Sequence, residues 1–264
     1  MARLRYVKTL PQVAKAAEAN PEFLKSRVRS IRVVYETDAR IAAAVLPPPL
    51  APAPRPEVCV TFSHVAMQIT PDFTFEIGAA VFGVRALYEA VEGIYPITMP
   101  MTAEAAVVGG RETYGEPKKL ADIAFERDGD ALSARVTRMG MTYLELRGRL
   151  AGALPARALS EYAYCFKAFP SCERPRLFDF DPLLVRLEWH HRHETVARVE
   201  GELVLHESPL DPVADIPIRR LVRIEYDEGT SESRGRVLRS VPSEWLRPFL
   251  HQRYDDPSGD GIEI

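Results

Sequence analysis

The sequence predicts an α+β protein that is mostly antiparallel β-sheet with a few helices. Many short segments are rich in β-branched and aromatic residues, and several of them alternate apolar and polar positions as half-buried strands do. Helical patterns occur at only three places, near the N-terminus, after Thr37 and near the C-terminus. No strand–helix–strand rhythm repeats along the chain, so a parallel α/β sheet is not expected.

The first 56 residues combine short helices, one strand and a connector. Residues 10–26 predict one or two short helices with a break at Asn20-Pro21, and residues 27–35 predict a strand. Asp38 is a candidate N-cap for a helix over residues 39–45. Six of the 22 prolines fall in residues 47–56. Because proline disrupts helix interiors and central strands, this run predicts an extended connector.

Strand patterns dominate the rest of the chain, and one further helix is expected over residues 243–254. The predicted strands cover residues 58–62, 73–77, 80–88, 105–109, 132–136, 144–150, 183–189 and 199–205. The chain of 264 residues is long enough for one large domain, and we expect a single domain over residues 1–264.

Composition excludes several classes of protein. Hydrophobic residues make up 46% of the chain and charged residues 27%, as in ordinary globular proteins. A net charge of −3 does not favour nucleic acid or an anionic membrane surface. No apolar run approaches the ~20 residues of a membrane span, and the N-terminus lacks the apolar stretch of a secretory signal. Three cysteines without metal-site spacing argue against a disulfide framework, so we expect a cytoplasmic enzyme.

The segment from Gly109 to Leu120 carries the strongest chemical signal. Two adjacent lysines, Lys118 and Lys119, follow Pro117 in a stretch that contains three glycines. A second ammonium nearby and exclusion of water both favour the neutral form of an amine. A neutral lysine amine can attack a ketone and form an imine. The alternative is an ordinary solvated pair, because neighbouring side chains on a strand point to opposite faces.

This segment resembles the lysine signature of the acetoacetate decarboxylase family. The resembling residues are Gly110-Arg111-Glu112 and Pro117-Lys118-Lys119-Leu120, and further similar segments lie at residues 34–38, 46–50, 75–78, 164–170 and 208–212. The resemblance covers residues 30–226 and leaves residues 1–26 as an N-terminal extension. It implies a closed, cone-like β structure that holds the lysine inside.

The resemblance also implies roles for individual residues. Lys118 is the expected imine-forming nucleophile, and Lys119 is the neighbouring cation that favours its neutral form, as known for acetoacetate decarboxylase itself. Glu76 falls on the active-site glutamate of the family and is expected to handle a proton near the imine. The alternative for Glu76 is a strand glutamate that faces solvent.

The sequence departs from the decarboxylases of the family at three positions. Their substrate-binding arginine lies seven residues before the residue that corresponds to Tyr35, where this chain has Val28, so Arg29 is the candidate if a bulge intervenes. Thr61 stands where those enzymes carry a second acidic residue. Glu116 occupies a position that is often aromatic, and we expect its carboxylate to point away from Lys118.

The expected function is therefore a lyase that forms a Schiff base with a small keto acid, most simply a decarboxylase. No cofactor is expected, since the protonated imine is itself the electron sink. The same lysine could instead serve aldol condensation and dehydration of pyruvate with an aldehyde, as in some relatives of the family. A non-catalytic protein that binds keto acids or other small anions is the third interpretation. The resemblance also implies a homo-oligomer.

A rival hypothesis comes from the cluster His190-His191-Arg192-His193-Glu194. On a strand, His191 and His193 would share a face and could hold a zinc ion. The sequence signals no third ligand, so we expect no metal site and interpret the cluster as a solvated strand end or hairpin.

Overall fold

Strands dominate the fold, as predicted. The computed structural model describes residues 4–18, 23–70, 73–256 and 258–264. The strands in these residues are β1 (Leu24–Glu36), β2 (Ala51–Pro52), β3 (Glu57–Thr70), β4 (Phe73–Tyr88), β5 (Val91–Met101), β6 (Lys118–Leu120), β7 (Asp122–Asp128), β8 (Ala131–Arg138), β9 (Met141–Leu154), β10 (Arg157–Lys167), β11 (Leu183–Leu205) and β12 (Arg220–Ser240).

The helices in the described residues are short. They are α1 (Leu10–Glu18), α2 (Ala39–Ala44), α3 (Glu104–Tyr114) and α4 (Ser243–Leu246), with 3₁₀ turns at Val213–Asp215 and Arg247–Gln252. The predicted cap is confirmed, because the Asp38 carboxylate accepts a hydrogen bond from the Arg40 amide at 2.8 Å. No helix in the described residues is long and apolar enough to cross a membrane.

Seven strands form a closed ring, which confirms the expected closed β structure. Their order is β5, β4, β3, β1, β12, β11 and β10. All neighbours in this series are antiparallel. The ring closes where β10 runs parallel to β5, with Ala163 opposite Ile94. Strands β9, β8 and β7 continue the sheet from the second half of the long strand β11.

The two faces of the ring strands have different roles. Successive residues on a strand point to opposite faces. On β1, Ile31 and Val33 are buried in the main hydrophobic core, which they share with Leu144 of β9. The alternate residues Ser30 and Arg32 line an internal cavity instead. One face of the ring strands therefore packs in the hydrophobic core, while the other face lines the cavity.

Several predicted element boundaries were wrong. Residues 73–77 and 80–88 belong to one strand, β4, and residues 183–189 and 199–205 belong to one strand, β11. The cluster His190–Glu194 lies within β11 and is not a hairpin turn. The predicted strand over residues 105–109 is part of helix α3. Two glycines lower the helix propensity there by about 1 kcal/mol each, which hid the helix.

Candidate active site

A cavity of about 600 Å³ lies inside the ring. The inward faces of the ring strands form its walls, and α3, which packs against β5, β6 and β10, adds one flank. Its lining includes Lys118 and Glu116 but neither Lys119, Glu76 nor Arg29. Of the four site residues predicted from the sequence, the structure thus brings only Lys118 to the cavity.

Lys118 lies in β6 beside Met99 of the parallel strand β5. Its side chain is only 14% exposed, and its Nζ lies 2.9 Å from Oε2 of Glu116, whose side chain is 7% exposed. The prediction that Glu116 points away was wrong. The Lys118 amide donates to the Glu116 carbonyl oxygen at 2.7 Å across Pro117, so the chain makes a tight three-residue turn between the two residues. The cavity therefore contains an amine and a carboxylate in direct contact.

Gly110 explains how this pair fits beneath helix α3. A Cβ atom at position 110 would lie 2.2 Å from Oε2 of Glu116 and 2.7 Å from Nζ of Lys118. Any side chain would therefore displace the pair. Gly115, which ends the helix with φ +74°, has a second reason to be glycine, because a Cβ there would lie 2.4 Å from backbone atoms of Lys167.

Lys119 points away from Lys118 into a separate ionic cluster. Its Nζ lies 2.9 Å from Asp211 Oδ1 and 3.2 Å from Asp255 Oδ1, and it donates to the Leu210 carbonyl oxygen at 3.1 Å. Arg138 binds the same two carboxylates. Two cations thus face two anions, and the charge of Lys119 is compensated locally. The expectation that Lys119 is the neighbouring cation of Lys118 is corrected, because adjacent strand residues face opposite sides and the two ammonium groups contact different carboxylates.

Two arginines fix the backbone that carries Lys118. Arg111 donates to the Lys118 carbonyl oxygen at 3.0 Å and to that of Arg253 at 3.2 Å. Arg253 in turn donates to the carbonyl oxygens of Gly115 and Phe166. The arginine of the signature is therefore a structural residue that ties helix α3, strand β6 and the C-terminal segment together.

Glu76 and Arg29 lie on the wrong face of their strands. On β4, Ile77 and Ala79 line the cavity, so Glu76 points outward. Its side chain is 64% exposed and lies 3.5 Å from His64. Arg29 is exposed on the outer face of β1, next to the cavity-lining Val28. Strand β1 has no bulge at this position to reverse its direction. The placement of both residues in the site is corrected for this reason.

A second polar group is formed by side chains of β1, β10, β11 and β12. Arg32 donates to Glu161 at 2.5 Å and to Asp227 at 2.7 Å, and His191 Nε2 lies 3.0 Å from Glu161. Burial alone would raise the pKa of Glu161, but the charge of Arg32 and the hydrogen bond from His191 lower it overall. Burial lowers the pKa of His193 to about 4, with the charge of Arg32 acting in the same direction.

The histidine cluster does not form a metal site. The rings of His191 and His193 are 5.2 Å apart between centroids. Within the part of the chain that the structure describes, no group of three or more histidine, cysteine or acidic side chains could hold a metal ion. Both rings instead face carboxylates, of Glu161 and Asp227 respectively.

Comparison with known proteins agrees with this architecture. The family profile "Acetoacetate decarboxylase (ADC)" matches residues 9–240. The chain belongs to the acetoacetate decarboxylase family. This match begins at residue 9, so residues 9–26, which we had placed outside the resemblance, lie within it.

Individual relatives are distant. The chain is 25% identical to an acetoacetate decarboxylase of Acidiphilium cryptum over 222 residues, which cover 78% of this chain and 86% of that protein. It is 33% identical to the "CLA biosynthesis isomerase" of Lactiplantibacillus plantarum over 121 residues, which cover 44% of this chain and only 42% of that protein. The crystal structure of acetoacetate decarboxylase from Legionella pneumophila superposes with a TM-score of 0.67 at 20% identity, covering 84% of this chain and 90% of that one. The fold and the lyase family are thereby established.

Sequence reasoning missed Glu116, Arg32, Glu161 and His191 as cavity residues. The alternation Ser30-Ile31-Arg32-Val33 indicated that one face of β1 is polar, but in most antiparallel sheets such a face meets solvent rather than a cavity. No comparable local signal marked Glu161. It meets Arg32 only through the closure of the ring, 129 residues away along the chain.

Proposed function

We propose that this protein is a lyase in which Lys118 forms an imine with the carbonyl carbon of a keto acid. The contact between Lys118 and Glu116 inside the cavity carries this proposal. A lysine enclosed by protein and in contact with a carboxylate has a partner to which it can pass a proton. An exposed lysine pair would lack this arrangement.

In the proposed mechanism Glu116 accepts a proton from the Lys118 ammonium. The neutral amine adds to the carbonyl carbon of the substrate, and the resulting carbinolamine loses water to give a protonated imine. In a 3-keto acid, the bond to the carboxylate carbon then breaks, its electron pair moves into the imine, and CO₂ leaves. The enamine takes a proton back on carbon, and water releases the ketone and restores the amine.

In this proposal Glu116 takes the acid–base role that the family resemblance implied for Glu76. General acid–base groups contribute typically 10²–10⁴-fold to a rate. Glu116→Gln should therefore slow deuterium exchange at the carbon next to the carbonyl of a bound ketone by at least ~100-fold. Glu76→Gln is a matched control, because it makes the same change outside the cavity. Equal exchange rates in the two variants would contradict the role of Glu116.

Decarboxylation is our first candidate for the step that follows the imine, and aldol condensation with dehydration is its alternative. Both reactions need the same lysine. Incubation with acetoacetate alone, and separately with pyruvate plus an aldehyde, distinguishes them. Loss of acetoacetate with release of CO₂ supports decarboxylation, while a conjugated product that forms only from the mixed pair supports the aldol reaction. Lys118→Ala should abolish either activity, and full activity in that variant would refute the site.

Isomerisation is a second candidate that a specific observation favours. The relative from Lactiplantibacillus plantarum carries the name isomerase. Moving a double bond within an unsaturated ketone requires removal of a proton at one carbon and its return at another. A carboxylate in contact with the imine nitrogen, such as Glu116, is suited to that shuttle. Conversion of an unsaturated ketone to its isomer without loss of carbon would identify this reaction.

The remaining alternative is a non-catalytic protein that binds keto acids or other anions. In that case Lys118 keeps its proton and serves only as a charge. Borohydride reduction in the presence of a ketone separates the two cases. An imine former gains the mass of the reduced adduct, whereas a binding protein gains none.

We further propose that the protein is a cytoplasmic homo-oligomer. Helix α1 has no buried residue, and Tyr6, Leu10 and Val13 are 99%, 84% and 50% exposed. Contiguous patches of exposed apolar groups often mark interaction sites, and Leu10 and Val13 are three residues apart on one face of α1. All three cysteines are free, as expected in a reducing compartment. Light scattering should give a mass larger than one chain, and a lower mass for the double variant Leu10→Ser/Val13→Ser.

A further inference from the structure

The cavity is much larger than a compact keto acid requires. Its volume is about 600 Å³. Cavities of roughly 300–1,000 Å³ enclose ligands the size of drug molecules. A four-carbon substrate bound at Lys118 would leave most of this space to water. The remaining volume is large enough for a longer substrate, and the lining of the cavity indicates the chemistry of such a substrate.

The wall next to Lys118 is apolar. Met99 is the direct neighbour of Lys118 across the β5–β6 pair. From there one hydrophobic cluster continues over β4 and β3, formed at the cavity surface by Val65, Met67, Ile77, Ala79, Val81, Met99 and Met101. We call these seven residues the apolar wall. Val81 and Ile77 are four residues apart on one strand, so this part of the wall extends roughly 13 Å.

The arginines that line the cavity are engaged with the protein's own carboxylates. Arg32 contacts Glu161 and Asp227, Arg85 contacts Glu57 and Glu92, and Arg234 contacts Glu188. Lys118 itself contacts Glu116. A cation that already faces a carboxylate offers little to the carboxylate of a substrate. Recognition of the substrate should therefore come mainly from the apolar wall.

We propose that the natural substrate is a keto compound with an extended alkyl or arylalkyl chain, which lies on the apolar wall while its carbonyl carbon reaches Lys118. The inference rests on the imine chemistry proposed above and specifies its substrate class. The chain supplies the binding energy, and the imine supplies the reactivity. Acetoacetate would then react at the same lysine but bind weakly.

Imine trapping with a ladder of methyl ketones tests this inference on the intact protein. Borohydride is added with ketones of four, six, eight and ten carbons, and mass spectrometry gives the concentration that half-saturates adduct formation. Each buried methylene improves affinity by up to about fourfold. We expect the half-saturating concentration to fall at least ~10-fold from the four-carbon to the eight-carbon ketone.

The possible outcomes separate the two proposals. If no ketone gives an adduct, the imine chemistry itself is refuted. If the four-carbon ketone gives an adduct and longer ketones bind no better, the imine proposal stands and the proposal of an extended substrate chain is overturned. A methyl ketone should also bind at least as well as a keto acid of equal chain length. Clearly tighter binding of the keto acid would overturn recognition through the apolar wall.

A pair of variants on strand β3 tests where the alkyl chain of the substrate lies. Met67→Trp fills the end of the apolar wall, whereas Gln68→Trp places the same side chain on the exposed outer position beside it. Met67→Trp should reduce the preference for the ten-carbon over the four-carbon ketone at least ~5-fold, on the scale of one to two methylenes. Gln68→Trp should leave that preference unchanged. The same preference in both variants would show that the chain does not lie there.

Discussion

Replacement of Gly110 by alanine changes the position of the Lys118–Glu116 pair with a single methyl group. The added Cβ would lie 2.2 Å from Glu116 Oε2, 2.5 Å from Lys118 Cδ and 2.7 Å from Lys118 Nζ. Contacts below 3.0 Å are essentially never observed for Cβ atoms, so the carboxylate oxygen must move by at least the difference, 3.0 − 2.2 = 0.8 Å. The displaced atoms are at or near the ends of flexible side chains, so the fold should persist.

We expect Gly110→Ala to lower the reaction rate rather than the stability of the fold. A displacement of about 1 Å at a reacting group can cost ~100-fold in rate, equivalent to about 2.7 kcal/mol of activation free energy. Gly110→Ala should therefore slow adduct formation with a methyl ketone and borohydride ~100-fold. Gly109→Ala is the matched control, since a Cβ there meets nothing within 4 Å. It should retain the rate and gain up to about 1 kcal/mol of unfolding free energy through better helix propensity.

Adduct formation is followed by mass spectrometry under single-turnover conditions, and folding is checked by thermal denaturation of the same samples. A folded Gly110→Ala variant that forms the adduct at the wild-type rate would refute the reasoning. So would a Gly109→Ala variant that is equally slow, because the effect would then not depend on contact with the pair.

Three further changes test the stability of the surrounding structure. Asp211→Asn removes the charge of a carboxylate that is 1% exposed and leaves Lys119 and Arg138 with one fewer anion. Denaturant unfolding should show a free energy of unfolding that is lower by about 3–5 kcal/mol, and a decrease below about 1 kcal/mol would contradict the role of the ionic cluster. Gly115→Ala combines a positive φ with backbone atoms 2.4 Å away and should cost about 2 kcal/mol or more, with a lowered melting temperature as the measurement. The pKa of His193 is about 4, below its value of about 6.5 in the unfolded chain, so the unfolded state binds the proton first. The free energy of unfolding should therefore fall by up to about 3 kcal/mol as pH drops from about 6.5 towards about 4. The raised pKa of Asp227 partly offsets this loss. His193→Phe should flatten this pH dependence of unfolding while His251→Gln, at an exposed position, should not, and identical profiles would refute the assignment.

The sequence predicted the fold class because most strands can be identified from local sequence patterns. Alternating and β-branched segments such as those around Val136 and Leu146 need no tertiary information. Helix α3 could not be predicted in this way. Its two glycines favour a turn by local propensity, yet Gly110 is required because the helix passes directly over Lys118. The global packing overrode the local preference there.

The candidate site was predictable only where one segment carries it. Lys118 was found through its signature, which is contiguous in sequence. Whether Glu76 and Arg29 point into the cavity depends on which residues of their strands face inward. A shift of one residue moves a side chain to the opposite face of the sheet. Glu161 and Arg32 meet only when the ring closes. Contacts between residues so distant along the chain leave no pattern in a single sequence.

Identification of the lysine that carries the reduced imine adduct tests the central claim most directly. The protein is treated with a methyl ketone and borohydride, digested, and the modified residue is located by peptide mass spectrometry. The account predicts that the adduct lies on Lys118, which faces the cavity beside Glu116, and that Lys119 is unmodified. An adduct on Lys119, or an equal distribution over the exposed lysines, would contradict it.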